Sequence, residues 1–311
     1  MNPAPSIIVF TVLSGVGFGL VTLAGVLDVA GGSRVTTPAL IAACATGIAL
    51  TTAGLLSSTR HLANPRNAWR AFFRFRSSWL SREVVSSILF YPFALSFTVG
   101  LWLHGAQRGL EVEFVGAVAA LLAVATVFCT GMIYASLRTI RQWHTSLVPV
   151  NYVLLSLASG ALALLAAASL LESYADPELI ALCLTLLMTA ALGKAVYYYW
   201  IGSPEGPTIN TATGVTRGHV RLLESGQSSA NFSNREFSYR APAGGLRRIR
   251  LAVHVLGFGL PLLLVYAWRH DLAIGALAAL LSSLAGITLE RWLFFAEARH
   301  VVNLFYGAQQ C

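Results

Sequence analysis

Residues 7–30 read IIVFTVLSGVGFGLVTLAGVLDVA. A helix needs about 20 mostly apolar residues to cross the hydrocarbon of a bilayer, and this run exceeds that. It does not alternate as a barrel strand does, and over such a length in lipid only a helix satisfies its own backbone. Seven further runs have the same character: 37–58, 84–104, 114–137, 148–172, 178–200, 251–268 and 272–295. The expected fold class is an all-α membrane protein. It is a single integral membrane domain over 1–311 with eight transmembrane helices, an amphipathic interfacial helix and one long cytoplasmic loop. Composition agrees. The chain is 56% hydrophobic and 11% charged, where a soluble domain carries about 25% charged residues. The first run lacks a preceding basic stretch and a following small-residue cleavage site, so it is expected to stay as a span rather than be removed as a signal.

Charge sets the orientation. Sixteen of the 21 Lys and Arg residues fall on one side of the expected membrane. They lie in the 59–83 loop, the 138–147 turn, the 201–250 loop and the C-terminal tail, whereas the alternate loops hold only Arg34, Arg108 and Arg269. The positive-inside rule then places both termini and the two long loops in the cytoplasm. A net charge of +8 would suggest nucleic acid in a soluble protein. Here the excess is topological, and no nucleic-acid partner is expected.

The two long loops carry most of the polar sequence. Residues 60–83 read RHLANPRNAWRAFFRFRSSWLSRE. Ala68, Ala71, Phe72 and Phe75 recur at helical spacing, with Arg66, Arg70, Arg74 and Arg76 largely between them, which describes a basic amphipathic helix lying in the interface plane. The 201–250 loop is rich in Gly, Ser, Thr and Asn, and is expected to be irregular and ordered by a partner. A partner-docking surface is therefore expected from Arg66, Arg70, Arg74, Arg76, Trp79, Arg221 and Arg235.

Ionisable residues in membrane spans are costly and mark function by default. His61, Tyr134, Arg138, Lys194, Glu290 and Arg291 all fall near the cytoplasmic ends of their runs. An ion pair of Glu290 with Lys194 or Arg291 is one reading. A polar pocket at that end of the bundle is the other, and it would suit a quinone head group, whose carbonyls need donors while its tail stays in lipid. Small residues recurring in the spans, such as Gly15, Gly17 and Gly19, read as close helix packing.

Cys44, Cys129, Cys183 and Cys311 are too scattered for a disulfide framework, a zinc site or an iron–sulfur cluster. None of the seven histidines is near the middle of a span, so a membrane haem, which needs a facing pair, is not expected. An edge pair drawn from His61, His144, His254 and His300 is the alternative. No metal is expected on this chain. Catalytic triads, Walker loops and dinucleotide fingerprints are missing. A small-solute transporter would call for repeats around a midplane site, and the halves show no such repeat.

At the 60–83 segment the chain resembles a known family, the membrane anchor subunits of dimethyl-sulfoxide-reductase-type molybdoenzymes. The hallmark is His61-Leu62, an Arg-Ala helix, then Ser78-Trp79-Leu80-Ser81-Arg82-Glu83. Met132-Ile133-Tyr134-Ala135 with Arg138 and Trp143 forms a second matching motif, and Glu290-Arg291-Trp292 through His300-Val301-Val302 a third. Within the family it looks most like the branch of cytoplasmic sulfite:quinone oxidoreductases, from Asn2-Pro3-Ala4-Pro5-Ser6, Ala212-Thr213-Gly214 and Val220-Arg221-Leu222-Leu223-Glu224. Departures from the pattern are Ala63 after His-Leu, Ser225-Gly226-Gln227, and Asn231-Phe232 with Glu236-Phe237. The resemblance implies a three-subunit complex with molybdopterin on a catalytic subunit, clusters on an iron–sulfur subunit, and this chain passing electrons to quinone, from sulfite in that branch. A dimethyl-sulfoxide or other oxyanion reductase drawing on quinol is the alternative. His61 matches the hallmark histidine and is the first choice for facing the quinone.

Overall fold

A computed structural model describes residues 3–31, 35–61, 64–172, 176–202, 206–224, 243–267 and 272–311. Eight helices among them are long and apolar enough to cross a membrane: α1 Pro5–Ala30, α2 Thr37–Ser58, α3 Trp79–His104, α4 Leu110–Ala135, α5 Leu147–Leu171, α6 Pro177–Gly202, α7 Gly244–Ala267 and α8 Leu272–Ala296. Their starts are locally encoded. Pro5 and Pro177 open α1 and α6, and Pro38 lies in the first turn of α2, where a missing N–H costs nothing. Ser78 caps α3 by accepting from Ser81 N at 3.4 Å. Gly31 closes α1 in the left-handed conformation. An even number of crossings puts the Pro5 end of α1 and the Ala296 end of α8 on the same side, which is the Arg-rich side.

Two helices form the centre. α1 and α5 are the most enclosed of the eight, and they meet through glycine. A Cβ on Gly19 would run into the backbone of Ser156, and one on Gly160 into the backbone of Gly19. Ser156 Oγ donates to Gly15 O at 2.6 Å across the same seam. Lipid gives no hydrophobic drive between helices, so close backbone approach and such hydrogen bonds hold them together. α4 and α2 flank α1, α3 packs on α4, and α8 lies against α5.

α7 contains a π turn, Val255–Gly259. The carbonyls of Leu256 and Gly257 accept from Ser282 Oγ at 2.8 Å and Ser283 Oγ at 3.1 Å. A Cβ on Gly286 would strike Gly257, so the wide turn lies directly on α8.

Several expectations from the sequence shift. The interfacial element is a 3-10 helix, Pro65–Arg74, not an α-helix. Residues three apart then align, so Arg66, Trp69, Phe72 and Phe75 share a stripe, and the basic and aromatic side chains alike are exposed. α3 begins at Trp79, ahead of the expected 84, because Ser78 supplies the cap. This moves Trp79 and Glu83 from loop to helix. α7 begins ahead of the expected 251, so Arg247, Arg248 and Arg250 stand on its first turns. The second loop is partly ordered by the chain itself. A short helix Ile209–Thr213 follows Thr208, and Asn210 Nδ2 donates to Val215 O and Gly218 O at 3.0 and 2.9 Å. Ile209 N and Cys311 N bond to Gln309 O and Pro207 O, both at 3.1 Å, joining this loop to the C-terminal residues.

Candidate functional site

The C-terminal turns of α6 and α8 bring Lys194 to the adjacent pair Glu290 and Arg291, about a hundred residues on in sequence. Lys194, Glu290 and Arg291 are 2%, 1% and 3% exposed. Lys194 Nζ forms an ion pair with Glu290 Oε1. Arg291 Nε meets Glu290 Oε2 at 2.5 Å. Of the two pairings open from the sequence, both form, and one carboxylate serves two cations. Aromatic faces receive the rest of the positive charge. Lys194 Nζ is 4.1 Å from the Tyr197 ring centroid and 5.0 Å from that of Tyr198, and Arg291 Cζ is 3.9 Å from that of Tyr152. Asn151 Nδ2 donates to Leu147 O at 2.8 Å and to Gly193 O at 3.4 Å, tying α5 to α6 beside Lys194.

Towards the Arg-rich end a second pair continues the polar row. Arg250 Nε bonds Glu297 Oε1 at 2.7 Å. The Glu297 side chain is 5% exposed and that of Arg250 31%, so this pair reaches the surface mainly through Arg250. Burial raises the Glu297 carboxyl above its ordinary value, with Arg250 pulling the other way. Arg250 Cζ is 5.2 Å from the Tyr198 ring centroid, so Tyr198 lies beneath both Lys194 and Arg250. The Tyr198 hydroxyl and Glu297 Oε2 are buried and accept or donate no hydrogen bond.

On the other side Arg291 and Tyr152 border a crevice between α1, α4, α5 and α8, shared with Ser14, Gly15, Thr130 and Ser156. Its volume is about 20 Å³, room for one water. Thr130, Tyr152 and Arg291 each stand five residues inside the ends of α4, α5 and α8, which is about 8 Å at 1.5 Å per residue. Thr130 Oγ1 donates to Glu83 Oε1 at 2.5 Å. Glu83 is buried, and no cation pairs with it among the described residues.

The other residues singled out from the sequence fall around this cluster. Tyr134 is half-buried in an aromatic group with Trp143, Tyr152, Phe294 and Phe295, at centroid distances of 5.1 to 5.9 Å. It backs the cluster through Tyr152. Arg138 does not join it. α4 ends at Ala135, Ser136 N and Leu137 N turn back onto Met132 O and Tyr134 O, and the chain carries Arg138 outward to an exposed position. His61 ends a 3-10 turn, Thr59–His61, at the Arg-rich end of α2; only its backbone is described. Arg66, Arg70, Arg74, Arg76 and Arg221 are exposed, and Arg235 lies outside the described residues. Trp79 is engaged internally, edge-on to Phe128 at 6.1 Å and beneath Arg82 at 4.1 Å. Arg82 in turn donates to Phe75 O and Arg76 O at 3.0 and 2.9 Å, which fastens the 3-10 helix to α3.

Sequence reasoning passed over Glu83, Tyr152 and Tyr198. Asn151-Tyr152 is a polar pair inside an apolar run, and that signal was there to read; Glu83 closes the Ser78–Glu83 motif, but at the edge of a polar loop its burial was not legible. Three of the four edge histidines use Nδ1 on the backbone: His144 contacts Ala135 O at 2.7 Å, His254 contacts Arg250 O at 3.1 Å, and His300 accepts from Val302 N at 3.0 Å. Among the described residues no group of three or more His, Cys, Asp and Glu is placed to hold a metal ion.

Fold and cluster together define a multi-pass membrane protein with a buried ionic centre just inside its Arg-rich face. The chain belongs to the DMSO reductase anchor subunit (DmsC) family, whose profile it matches over residues 1–308. It is also 32% identical over 333 residues to a subunit of the sulfite dehydrogenase of Allochromatium vinosum, with 98% of this chain and 99% of that one covered. It is thus an anchor subunit of the DMSO-reductase type.

Proposed function

We propose that this chain anchors a three-subunit molybdoenzyme to the bacterial inner membrane and exchanges electrons between an iron–sulfur subunit and the quinone pool. Both termini and the Arg-rich loops face the cytoplasm. The similarity to a sulfite dehydrogenase subunit favours sulfite oxidation by the molybdopterin subunit. The observation that carries the quinone reading is the buried Lys194–Glu290–Arg291 cluster with Tyr152 on its flank. Intramembrane charge is retained where it serves a ligand or a proton path. This cluster is also shallow enough to lie near a soluble electron-transfer subunit docked on the exposed Arg66, Arg70, Arg74, Arg76 and Arg221, with Trp79 bracing the 3-10 helix from behind through Arg82.

A bound quinone supplies a two-electron, two-proton acceptor. Arg291 and Tyr152 offer hydrogen-bond donors to its carbonyl, in a crevice that admits an oxygen but not a ring. Glu290 and Lys194 fix the Arg291 fork, and Tyr134 stacks on Tyr152 and holds it in place; His61 is assigned to a carbonyl on the strength of the hallmark motif it belongs to. Arg138, exposed, has its place on the docking face. Donors preset where negative charge develops lower the cost of reduction.

His61→Ala tests the reading. Quinone-coupled turnover is expected to fall by roughly 100-fold, while the complex assembles and its turnover with an artificial dye persists. Full quinone activity in this variant would remove His61 from the site.

A further inference from the structure

We infer that the buried row Glu297–Tyr198–Lys194–Glu290–Arg291–Tyr152 is a proton path from the Arg-rich aqueous face to the crevice. The inference rests on the quinone reading and adds to it where the protons come from. Reducing a quinone to a quinol takes two electrons, assigned above to the iron–sulfur subunit, and two protons, one forming an O–H bond at each carbonyl oxygen. The row supplies the proton for the oxygen held in the crevice, and each proton that leaves the row is replaced from water.

Three features of the row carry this. First, its members follow one another through the bundle, by ion pairs everywhere but at Tyr198 and Tyr152, which the cations meet across the ring face. Glu297 is held by Arg250, which is partly exposed; Tyr198 lies under Arg250 and Lys194; Lys194 meets Glu290; Glu290 meets Arg291; and Arg291 faces Tyr152 at the crevice wall. Second, the Tyr198 hydroxyl and Glu297 Oε2 are more than nine-tenths buried with no hydrogen-bond partner. Both stand at the one step of the row where no direct contact links the charged groups. Unsatisfied polar atoms of this kind are rare in a finished core and call for a function or an ordered water. Third, the cluster makes poor sense as a staple. Two cations on one carboxylate leave a net positive charge in the bundle, and even a balanced buried ion pair contributes little net stability.

The members divide by chemistry. Arg291 stays charged throughout, so its part is to hold Glu290 and Tyr152 in line. Glu297, Lys194, Glu290 and the two tyrosine hydroxyls pass the proton. The same row run backwards releases protons when quinol is oxidised.

The test uses the whole complex with its soluble subunits. Quinone-coupled turnover is measured in H₂O and D₂O for the wild type, Glu297→Gln and Tyr198→Phe, with dye-linked turnover as control and added formate as a diffusible proton donor. Glu297→Gln is expected to lose roughly 100-fold, the low end of what a positioned proton donor supplies, with a larger solvent isotope effect and recovery in formate. Tyr198→Phe keeps the packing, loses only the hydroxyl, and stands in if Glu297→Gln fails to assemble. A second readout needs no quinone turnover. Infrared spectra of the quinone-depleted complex after transfer to D₂O follow exchange of the buried side chains, which both variants are expected to slow. Wild-type turnover and exchange in both variants would overturn the path. So would a loss that formate leaves untouched and that appears only in KM. If the wild-type complex itself delivers no electrons to quinone while its dye turnover is intact, the quinone reading fails first, and this inference with it.

Discussion

Removing Glu290 and removing Lys194 should have very different costs, although the two side chains form one ion pair. Glu290 is the single carboxylate between Lys194 and Arg291, and all three side chains are 3% exposed or less. Glu290→Gln leaves two buried cations facing each other. Removing one partner of a buried pair costs about 3–5 kcal/mol, because the charge left behind is uncompensated. Here two charges are left, so the upper end applies. Lys194→Met leaves Glu290 and Arg291 as a one-to-one pair with a 2.5 Å contact. It also fills the lysine's volume with an apolar chain between Tyr197 and Tyr198, and exchanges of this kind are near neutral or stabilising. The assay is thermal unfolding of the anchor in nanodiscs, with loss of monomer on a sizing column as the signal. Glu290→Gln is expected to lower the midpoint by on the order of 10 °C, and Lys194→Met by at most about 2 °C. Equal losses in the two variants would refute the shared-carboxylate argument, as would an unchanged midpoint for Glu290→Gln. Both variants should still lose quinone turnover, since each interrupts the row, and that separates stability from function within one pair of proteins.

Gly160→Leu should be among the most damaging single changes in the chain, because its Cβ meets the Gly19 backbone. Overpacking of this sort costs about 1–3 kcal/mol even where side chains give way, and backbone does not; yield of folded monomer from membranes measures it, and wild-type yield would contradict the α1–α5 seam. Replacing Arg70, Arg74 and Arg76 together with Glu should release the soluble subunits while the anchor still inserts, read by immunoblots of washed membranes; subunits retained at the membrane would mean that the 3-10 helix serves lipid alone. Arg70→Cys should label with a membrane-impermeant thiol reagent only from the cytoplasmic face and Ala106→Cys only from the other, the native cysteines being buried; labelling of Arg70→Cys from outside would invert the topology.

The eight helices were legible because the information is local. A run of apolar residues long enough to span lipid has one way to satisfy its backbone, and residues 7–30, 148–172 and 272–295 needed no partner to be read. Ends were less legible. α3 starts at Trp79 because of a cap on Ser78, and α7 starts among Arg247, Arg248 and Arg250, where charge in the sequence suggested loop. The interfacial segment was read with the wrong period, since Ala68, Ala71, Phe72 and Phe75 suit an α-helix, yet the chain between Pro65 and the Arg82 contacts winds as a 3-10 helix.

By itself, then, the sequence determined that the chain spans the membrane eight times, which side carries its arginines, and that costly charges gather near that side. These follow from length, hydropathy and charge count, properties that need no tertiary contact. Only the tertiary structure decided which charges meet. It joined Lys194 to Glu290 and Glu290 to Arg291, put Tyr152, Tyr198 and Glu297 in the same row, and left Arg138 outside. Rotation of each helix about its axis settles such matters, and that rotation is set by where glycines such as Gly19, Gly160, Gly257 and Gly286 let neighbouring backbones touch. No single helix contains that information, because each close approach needs a small residue on one helix and a matching surface on the next.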